Sequence, residues 1–334
     1  MKQKYIFIFT EPDDWSSNDV IDWIKFHKYI PLRVNANKIL NSEFNFNFQN
    51  HNLSEVSINK TIKLNNIKSF WYRRTIPINL NFYKTDIAIT GENNELILNH
   101  KFEELKYARN AFFHLTKDFK WLNNPFNSII DKSFCLIEAK KCGLNIPQTI
   151  ITSSSPHAST FYERMKKKVI IKPIYNVTML KYKRKNYLPY TTVLDDTFFD
   201  NMPETFFPTL FQEKIEKQIE LRVFYLDGKF FPMAMFSQLN SKTKDDFRRY
   251  DNTNPTRSVP FKLPKSIETK LKTFMRKIDL NCGSIDLILD NFNNYYFLEV
   301  NPVGQFGMTS YPCNYYIEEE ISKFLINNEK ISKN

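Results

Sequence analysis

Residues 284–290 and 295–301 of this chain are two runs rich in β-branched and aromatic side chains, separated by Asn291, Phe292, Asn293 and Asn294. That is the pattern of two antiparallel strands joined by a short loop, and no other stretch constrains the fold as much. A four-residue loop sets Asp290 opposite Tyr295, Asp286 opposite Glu299 and Ser284 opposite Asn301. Side chains alternate along a strand and cross-strand pairs share a face, so these polar groups project from one side of the hairpin. Ile285, Leu287 and Leu289 with Tyr296, Leu298 and Val300 then make an apolar reverse that belongs in a core. Two carboxylates and an amide oxygen converging there suit Mg²⁺, a hard cation held by few protein oxygens plus substrate phosphates. The same residues suit a polar face in water, and a one-residue slip would part Asp286 from Glu299.

Composition narrows the setting. With 334 residues, 42% hydrophobic and 25% charged, the chain has the make-up of a globular protein with more than one core, not of a disordered one. Its net charge of +11 points to an anionic partner, whether nucleic acid, membrane surface, nucleotide or acidic peptide, or else to a lysine-rich soluble surface. Cys135, Cys142, Cys282 and Cys313 form no CxxC pair and no disulfide framework, so free thiols in a reducing cytosol are expected. The histidines are scattered without metal-ligand spacing, so they are expected at the surface or in the core and no zinc site is expected. Tyr5–Phe9 is too short for a signal segment and no run approaches a membrane span, so the expectation is a cytoplasmic protein with no membrane partner.

Along the chain, Tyr5–Phe9 reads as a buried strand. Ser16 or Ser17 can cap a helix with Val20, Ile21, Ile24 and Lys28 at helical spacing, an α/β start. Phe44, Phe46 and Phe48 alternate as an edge strand does. The aromatic run at Phe70–Tyr72 ends in Arg73 and Arg74, a pair suited either to clamp an anion or to face water. Residues 93–122 predict a helix bearing Leu96, His100, Phe102, Leu105, Ala108, Phe112 and Leu115, and Asn124–Pro125 is a turn that closes a first domain. Asp131 is an N-cap for a helix with Lys132 in its first turn, Phe134, Ile137 and Ala139 along it, and Gly143 past its end.

Val169–Pro173 predicts an apolar strand ending in Lys172, whose ammonium either meets a phosphate or snorkels to water. Residues 175–190 interleave lysines and Arg184 with tyrosines, as in a single-strand nucleic-acid platform or a solvated loop. Strands over 219–226 and 229–236 flank Asp227–Gly228, a two-residue hairpin turn. Glu220 and Arg222 share one face there, as a surface pair or as groups reading ribose and phosphate. Asp245–Asp251 lies in a long polar section of the kind that forms lids. A helix over 266–280, with Ile267, Leu271, Phe274, Met275 and Ile278 on one stripe, leads into the 284–301 hairpin, and a last helix covers 318–327.

No Walker A sequence, glycine-rich dinucleotide fingerprint or protein-kinase signature is present. The order of the Lys132 helix, Val-Ile-Ile-Lys172-Pro, Gln212-Glu213-Lys214-Ile215, Glu220-Leu-Arg222, Asp286 and Glu299-Val-Asn301 nevertheless resembles the ATP-grasp superfamily. Trp71-Tyr72-Arg73-Arg74 and Asp246-Phe247-Arg248 make the chain look like the graspetide peptide maturases, in particular the grasp-with-spasm, microviridin-ligase-like group. The resemblance implies an α/β (α+β) ATP-grasp fold. Residues 1–125 would be a pre-ATP-grasp domain, and subdomains 126–210 and 211–334 would sandwich ATP.

The resemblance also implies the chemistry. ATP phosphorylates an Asp or Glu side chain of a ribosomally made precursor, composed of a leader and a Thr- and Glu-rich core, and a Ser, Thr or Lys side chain closes an ester or amide ring. Lys132 and Lys172 would hold phosphates, Gln212, Glu213, Lys214 and Ile215 would line the adenine slot, and Glu220 would bind ribose. Arg222 would meet the transferring phosphoryl group, while Asp286, Glu299 and Asn301 would hold Mg²⁺. Asp246 would serve as base, Arg248 as acyl-phosphate stabiliser, and Arg73, Arg74 and Arg249 as substrate ligands. The loop after Lys172 lacks glycine, so the phosphate cover would fall to Lys181–Lys185. A homodimer is implied as well. The alternative within this architecture is a carboxylate–amine ligase acting on free amino acids or a protein C-terminus. A basic nucleic-acid-binding protein would leave the ordered motifs without a role, so nucleic acid is not the expected partner.

Overall fold

A computed structural model describes residues 4–35, 55–57, 61–63, 66–74, 94–128, 130–175, 180–182, 185–187, 191–200, 202–239 and 256–327. The chain divides into two compact units, Met1–Ser128 with Tyr316–Asn334, and Ile129–Tyr315.

The first unit begins with β1 (Tyr5–Thr10), α1 (Ser16–Phe26) and β2 (Ile30–Asn35). A small ladder of β3 (Glu55–Ser57) and β4 (Thr61–Lys63) follows, then β5 (Ile67–Tyr72), α2 (Asn94–Leu115) and β6 (Trp121–Leu122). The main sheet is parallel in the order β2-β1-β5-β6. Parallel strands are covered on both faces, which is why Ile6, Phe7, Ile8 and Phe9 are a continuous buried run and not an alternating one. Phe7, Phe9, Phe70, Phe112, Phe113 and Trp121 form the core, with Phe70 and Trp121 stacked at 4.5 Å.

Two predicted elements differ in detail. Helix α1 starts at Ser16 with no side-chain cap, because Ser17 Oγ donates to Asp14 O instead. Helix α2 ends at Leu115, and Trp121 and Leu122 are a strand that pairs with Phe70 and Trp71. Only the last turns of α2 reach the core: Phe112 is buried, whereas Leu96 is 72% exposed. The Phe44–Phe48 alternation lies outside the described residues.

The second unit opens with α3 (Lys132–Lys141), capped as predicted: Asp131 Oδ1 accepts from Phe134 N at 3.0 Å, and Gly143 takes φ +78° past its end. Its buried stripe is Cys135, Leu136 and Ala139, while Phe134 and Ile137 stay exposed. Next come β7 (Thr149–Ser154), α4 (Ser155–Arg164) and β8 (Val169–Lys172). Where the sequence suggested a loop, β9 (Leu180–Tyr182) and β10 (Lys185–Tyr187) pair antiparallel. With β11 (Thr192–Val193) and β12 (Thr205–Glu213), an antiparallel sheet forms in the order β11-β8-β12-β7. Val169, Phe211 and Ile150 on one face pack with Ala158, Phe161 and Tyr162 of α4.

The larger sheet joins β13 (Lys217–Leu226), β14 (Lys229–Met235), β15 (Ser258–Pro260), β16 (Cys282–Asp290) and β17 (Tyr295–Asn301) in the order β15-β14-β13-β16-β17. Asp227 and Gly228 turn β13 into β14 with φ of +45° and +94°, the left-handed pair that such a two-residue turn requires. Helix α5 (Lys265–Lys277) lays Leu271, Phe274 and Met275 against Leu221, Val223, Ile285, Leu287 and Phe297. On the opposite face, α6 (Gly307–Cys313) brings Cys313 onto Met233 and Met235 of β14. The terminal helix α7 (Ile317–Ile326) belongs to the first unit, where Ser69 Oγ donates to Leu325 O at 2.7 Å. No helix among the described residues is long and apolar enough to cross a membrane.

Candidate active site

The β16–β17 hairpin pairs Ser284 with Asn301, Ile285 with Val300 and Asp286 with Glu299, as its sequence predicts. Beyond Asp286 the register differs. Leu287 pairs with Phe297 and Leu289 with Tyr295, leaving Leu298 as a bulged residue. The cause sits in the turn: Asp290 Oδ1 accepts from Phe292 N and Asn294 N, both at 2.8 Å, and Asp290 N donates to Asn294 O, so the loop closes on Asp290 itself. Burial raises the Asp290 carboxyl, but the Asn294 side chain and the Asn294 and Phe292 N–H groups outweigh it and hold the carboxyl below its ordinary value. The bulge corrects the expected reverse face. Phe297 and Tyr295, not Leu298 and Tyr296, stand behind the hairpin, with Phe297 against Phe274 at 4.8 Å.

Strand β13 extends the polar face. Arg222 pairs with Asp286 and, on its other side, with Met233, so Met233, Arg222, Asp286 and Glu299 form one row across four strands. The Arg222 Nη1 to Asp286 Oδ1 distance is 3.7 Å. A second row holds Met235, Glu220, Ile288 and Tyr296. Helix α3 adds a cation: Lys132 Nζ lies 3.3 Å from Glu299 Oε2. Asn301 Oδ1 accepts from Val303 N at 3.0 Å, which fixes the carboxamide and bends the chain into Pro302–Gly304. Gly304 sits there at φ +55°, and a Cβ on it would stand 2.9 Å from the Phe224 ring. Below the row, burial first, then Asp131 and Glu299, push the Cys135 thiol up to about 12, so it is an inert part of the packing.

Lys172 and Gln212 share a face of the smaller sheet, since Lys172 pairs with Leu210 and Gln212 with Ile170. Gln212 is buried and its Nε2 donates to Thr149 Oγ1 at 2.8 Å. Glu213 Oε2 accepts from Gln148 N at 3.1 Å, and Lys214 N donates to Lys168 O, which ties residues 212–214 to the sheet before Ile215 and β13.

In the first unit Arg73 and Arg74 follow β5. The Arg73 side chain is 1% exposed, with Nε 3.3 Å from Asp14 Oδ2 and Nη2 donating to Ser16 Oγ. The anion it meets is thus the chain's own carboxylate. Burial raises the Asp14 carboxyl, yet Arg73, the hydroxyls of Thr10 and Ser16, and Arg74 together hold it below its ordinary value. Arg74 is one-third exposed and pairs with Glu11 at 3.2 Å. Asp246, Arg248 and Arg249 lie outside the described residues.

Sequence reading passed over Lys217, whose ammonium pairs with Glu220 Oε1. Residues three apart on a regular strand face opposite ways, so no periodic signal marks the pair.

No family model matches the sequence, and no curated protein matches it. Solved structures do. A Chryseobacterium gregarium RiPP-associated ATP-grasp ligase in complex with ADP and a leader and core peptide superposes with TM-score 0.78 at 23% identity, over 97% of this chain and 96% of that one. The macrocyclase MdnC of Microcystis aeruginosa, bound with precursor peptide MdnA, gives 0.77 at 22% identity, over 97% and 99%. The ATP-grasp ligase PsnB, complexed with a phosphomimetic variant of its minimal precursor, Mg and ADP, gives 0.74 at 15% identity, over 98% and 99%. Over nearly its whole length, this chain has the α/β fold of the ATP-grasp ligases.

Proposed function

We propose that the chain is an ATP-dependent, ADP-forming ligase that closes macrocycles in a ribosomally made peptide, joining Asp or Glu side chains to Ser, Thr or Lys side chains. The observation that carries this reading is the row of Arg222, Asp286 and Glu299 with Lys132 on Glu299, set in a fold shared end to end with peptide-bound ligases.

Asp286, Glu299 and Asn301 offer oxygen donors alone from one face, the set a hard cation takes, so the residues present fit Mg²⁺. Bound there, Mg²⁺ would neutralise charge on the triphosphate. Lys132 and Lys172 hold phosphate oxygens, Gln212 to Ile215 flank the adenine, and Glu220 accepts from ribose hydroxyls. Arg222 donates to the γ-phosphoryl group as a substrate carboxylate oxygen attacks phosphorus and ADP departs. A hydroxyl or amine then attacks the acyl carbon, inorganic phosphate leaves, and the proton passes to a base. Asp246 is assigned as that base, with Arg248 at the acyl phosphate and Arg249 and Arg74 as peptide ligands. Positioning supplies most of the acceleration. Each ring costs the peptide one water. We read residues 1–125, 126–210 and 211–334 as the functional segments, and the protein as a cytoplasmic homodimer, in keeping with its free cysteines.

Co-expression of the chain with a Thr- and Glu-rich small peptide encoded beside it tests the proposal. Intact mass should fall by one water per ring with the wild-type enzyme and remain unchanged with Glu299→Ala. An unchanged peptide, together with ATP turnover on free amino acids, would replace this reading by the small-molecule carboxylate–amine ligase.

A further inference from the structure

The pairing of Lys217 with Glu220 is made by a defect in β13. Lys217 pairs with Asp290 across the sheet, but Ile219 pairs with Leu289, so two residues on β13 answer one step on β16 and Gln218 is extra. Asp290 and Ile288, two apart, share a face, and Glu220 pairs with Ile288. The bulge therefore turns Lys217 to the face that carries Glu220, where a regular strand would turn it to the core. The two side chains are 9% and 11% exposed, and the neighbours of Glu220 in its row are Met235, Ile288 and Tyr296. A carboxylate among such side chains keeps its charge only beside a counter-ion.

We infer that Lys217 is a positioning residue that holds the Glu220 carboxylate aimed at the vicinal hydroxyls of the nucleotide ribose, and so sets the preference for ribonucleoside over deoxyribonucleoside triphosphate. This rests on the assignment of Glu220 to the ribose. Lys217 engages Oε1 through its ammonium and restricts rotation about the Glu220 side chain. A hydrogen bond to a charged, pre-aimed acceptor is worth about ten- to a hundred-fold in affinity. Without Lys217 the carboxylate loses the ammonium that holds Oε1, and the hydroxyls lose an acceptor fixed in place.

The test is equilibrium binding of ATP and of 2′-deoxyATP, each with Mg²⁺, to the full chain, which needs no peptide substrate. Wild type should bind ATP at least ten-fold more tightly than 2′-deoxyATP. Lys217→Met should bring the ratio to within about two-fold of unity by weakening ATP more than 2′-deoxyATP, which keeps the 3′-hydroxyl; Lys217→Arg should restore most of it, and Lys217→Met/Glu220→Gln should lose no more than Glu220→Gln. General damage to the site would weaken both nucleotides alike and leave the ratio standing. If Glu220→Gln abolishes the preference and Lys217→Met keeps it, the role of Lys217 is refuted and the ribose assignment survives. If neither wild type nor Glu220→Gln distinguishes the two nucleotides, the ribose assignment falls and takes the inference with it.

Discussion

Arg73→Met should unfold the first unit more readily, without acting as a substrate-binding lesion. Methionine keeps most of the volume and removes the charge, leaving Asp14 in a site where its side chain is 2% exposed. At 3.3 Å and an effective dielectric of about 20, the lost attraction is roughly 5 kcal/mol. Breaking a buried pair by removing one partner typically costs about 3–5 kcal/mol. For a unit of this size that corresponds to a fall in Tm of about 6–20 °C, read from the fluorescence of Trp71 and Trp121. The pH dependence has a definite sign. In the wild type the Asp14 carboxyl is held below its unfolded value, so its contribution is present above about pH 4 and is lost as pH falls through the folded pKa. In the variant burial is opposed only by the hydroxyls of Thr10 and Ser16 and by Arg74, so the carboxyl titrates higher than in the wild type, and the cost of losing Arg73 is largest at neutral pH and shrinks as the carboxyl protonates. The gap between the two proteins should therefore narrow on acidification, and Asp14→Leu/Arg73→Met should recover much of the loss. A variant melting within about 2 °C of wild type, with weakened peptide binding instead, would refute this argument and restore Arg73 as a substrate ligand.

Asp286→Asn and Glu299→Gln should each lower Mn²⁺ affinity at least ten-fold in the presence of ATP, read by electron paramagnetic resonance, with peptide conversion falling at least a thousand-fold. Gly304→Ala should lower stability by about 1–3 kcal/mol in urea titration, because a Cβ at φ +55° meets Phe224 at 2.9 Å; Phe224→Leu in the same chain should relieve part of it. Iodoacetamide at pH 8 should label Cys142 and spare Cys135 in the native protein, as mass spectrometry of the digested chain would show, since Cys135 is buried with its thiol pushed up to about 12.

The parts of the fold that could be read from sequence were those whose signals are local. The cap at Asp131, the Gly143 stop, the Asp227–Gly228 turn and the stripe of α5 each depend on residues within a few positions of one another. The Asp286–Glu299 and Ser284–Asn301 pairs followed from the assigned four-residue loop with strand alternation, and the bulge at Leu298 restores that register beyond a turn that closes one residue differently. What escaped was set by longer-range competition. Residues 93–122 read as one helix, but the last of them is drawn into the sheet by pairing with Phe70 and Trp71. Leu96, His100 and Phe102 of the α2 stripe are exposed because amphipathic spacing says which residues share a face, not whether that face finds a partner.

Sequence by itself determined the long strands around the site, the Asp286–Glu299 pairing and the order of charged groups along the chain, because side-chain alternation and turn chemistry act over a few residues. Tertiary structure alone decided which charges are shared. It matched Arg73 to Asp14 from fifty-nine positions away, Lys132 to Glu299 and Arg222 to Asp286, and placed α7 with the first unit. It also introduced the bulges at Gln218 and Leu298, which turn Lys217 toward Glu220 and send Phe297 into the core. Both bulges reverse the parity that a period-two reading assumes. A reversal of that kind arises from how two strands close against each other, and neither strand's sequence contains it.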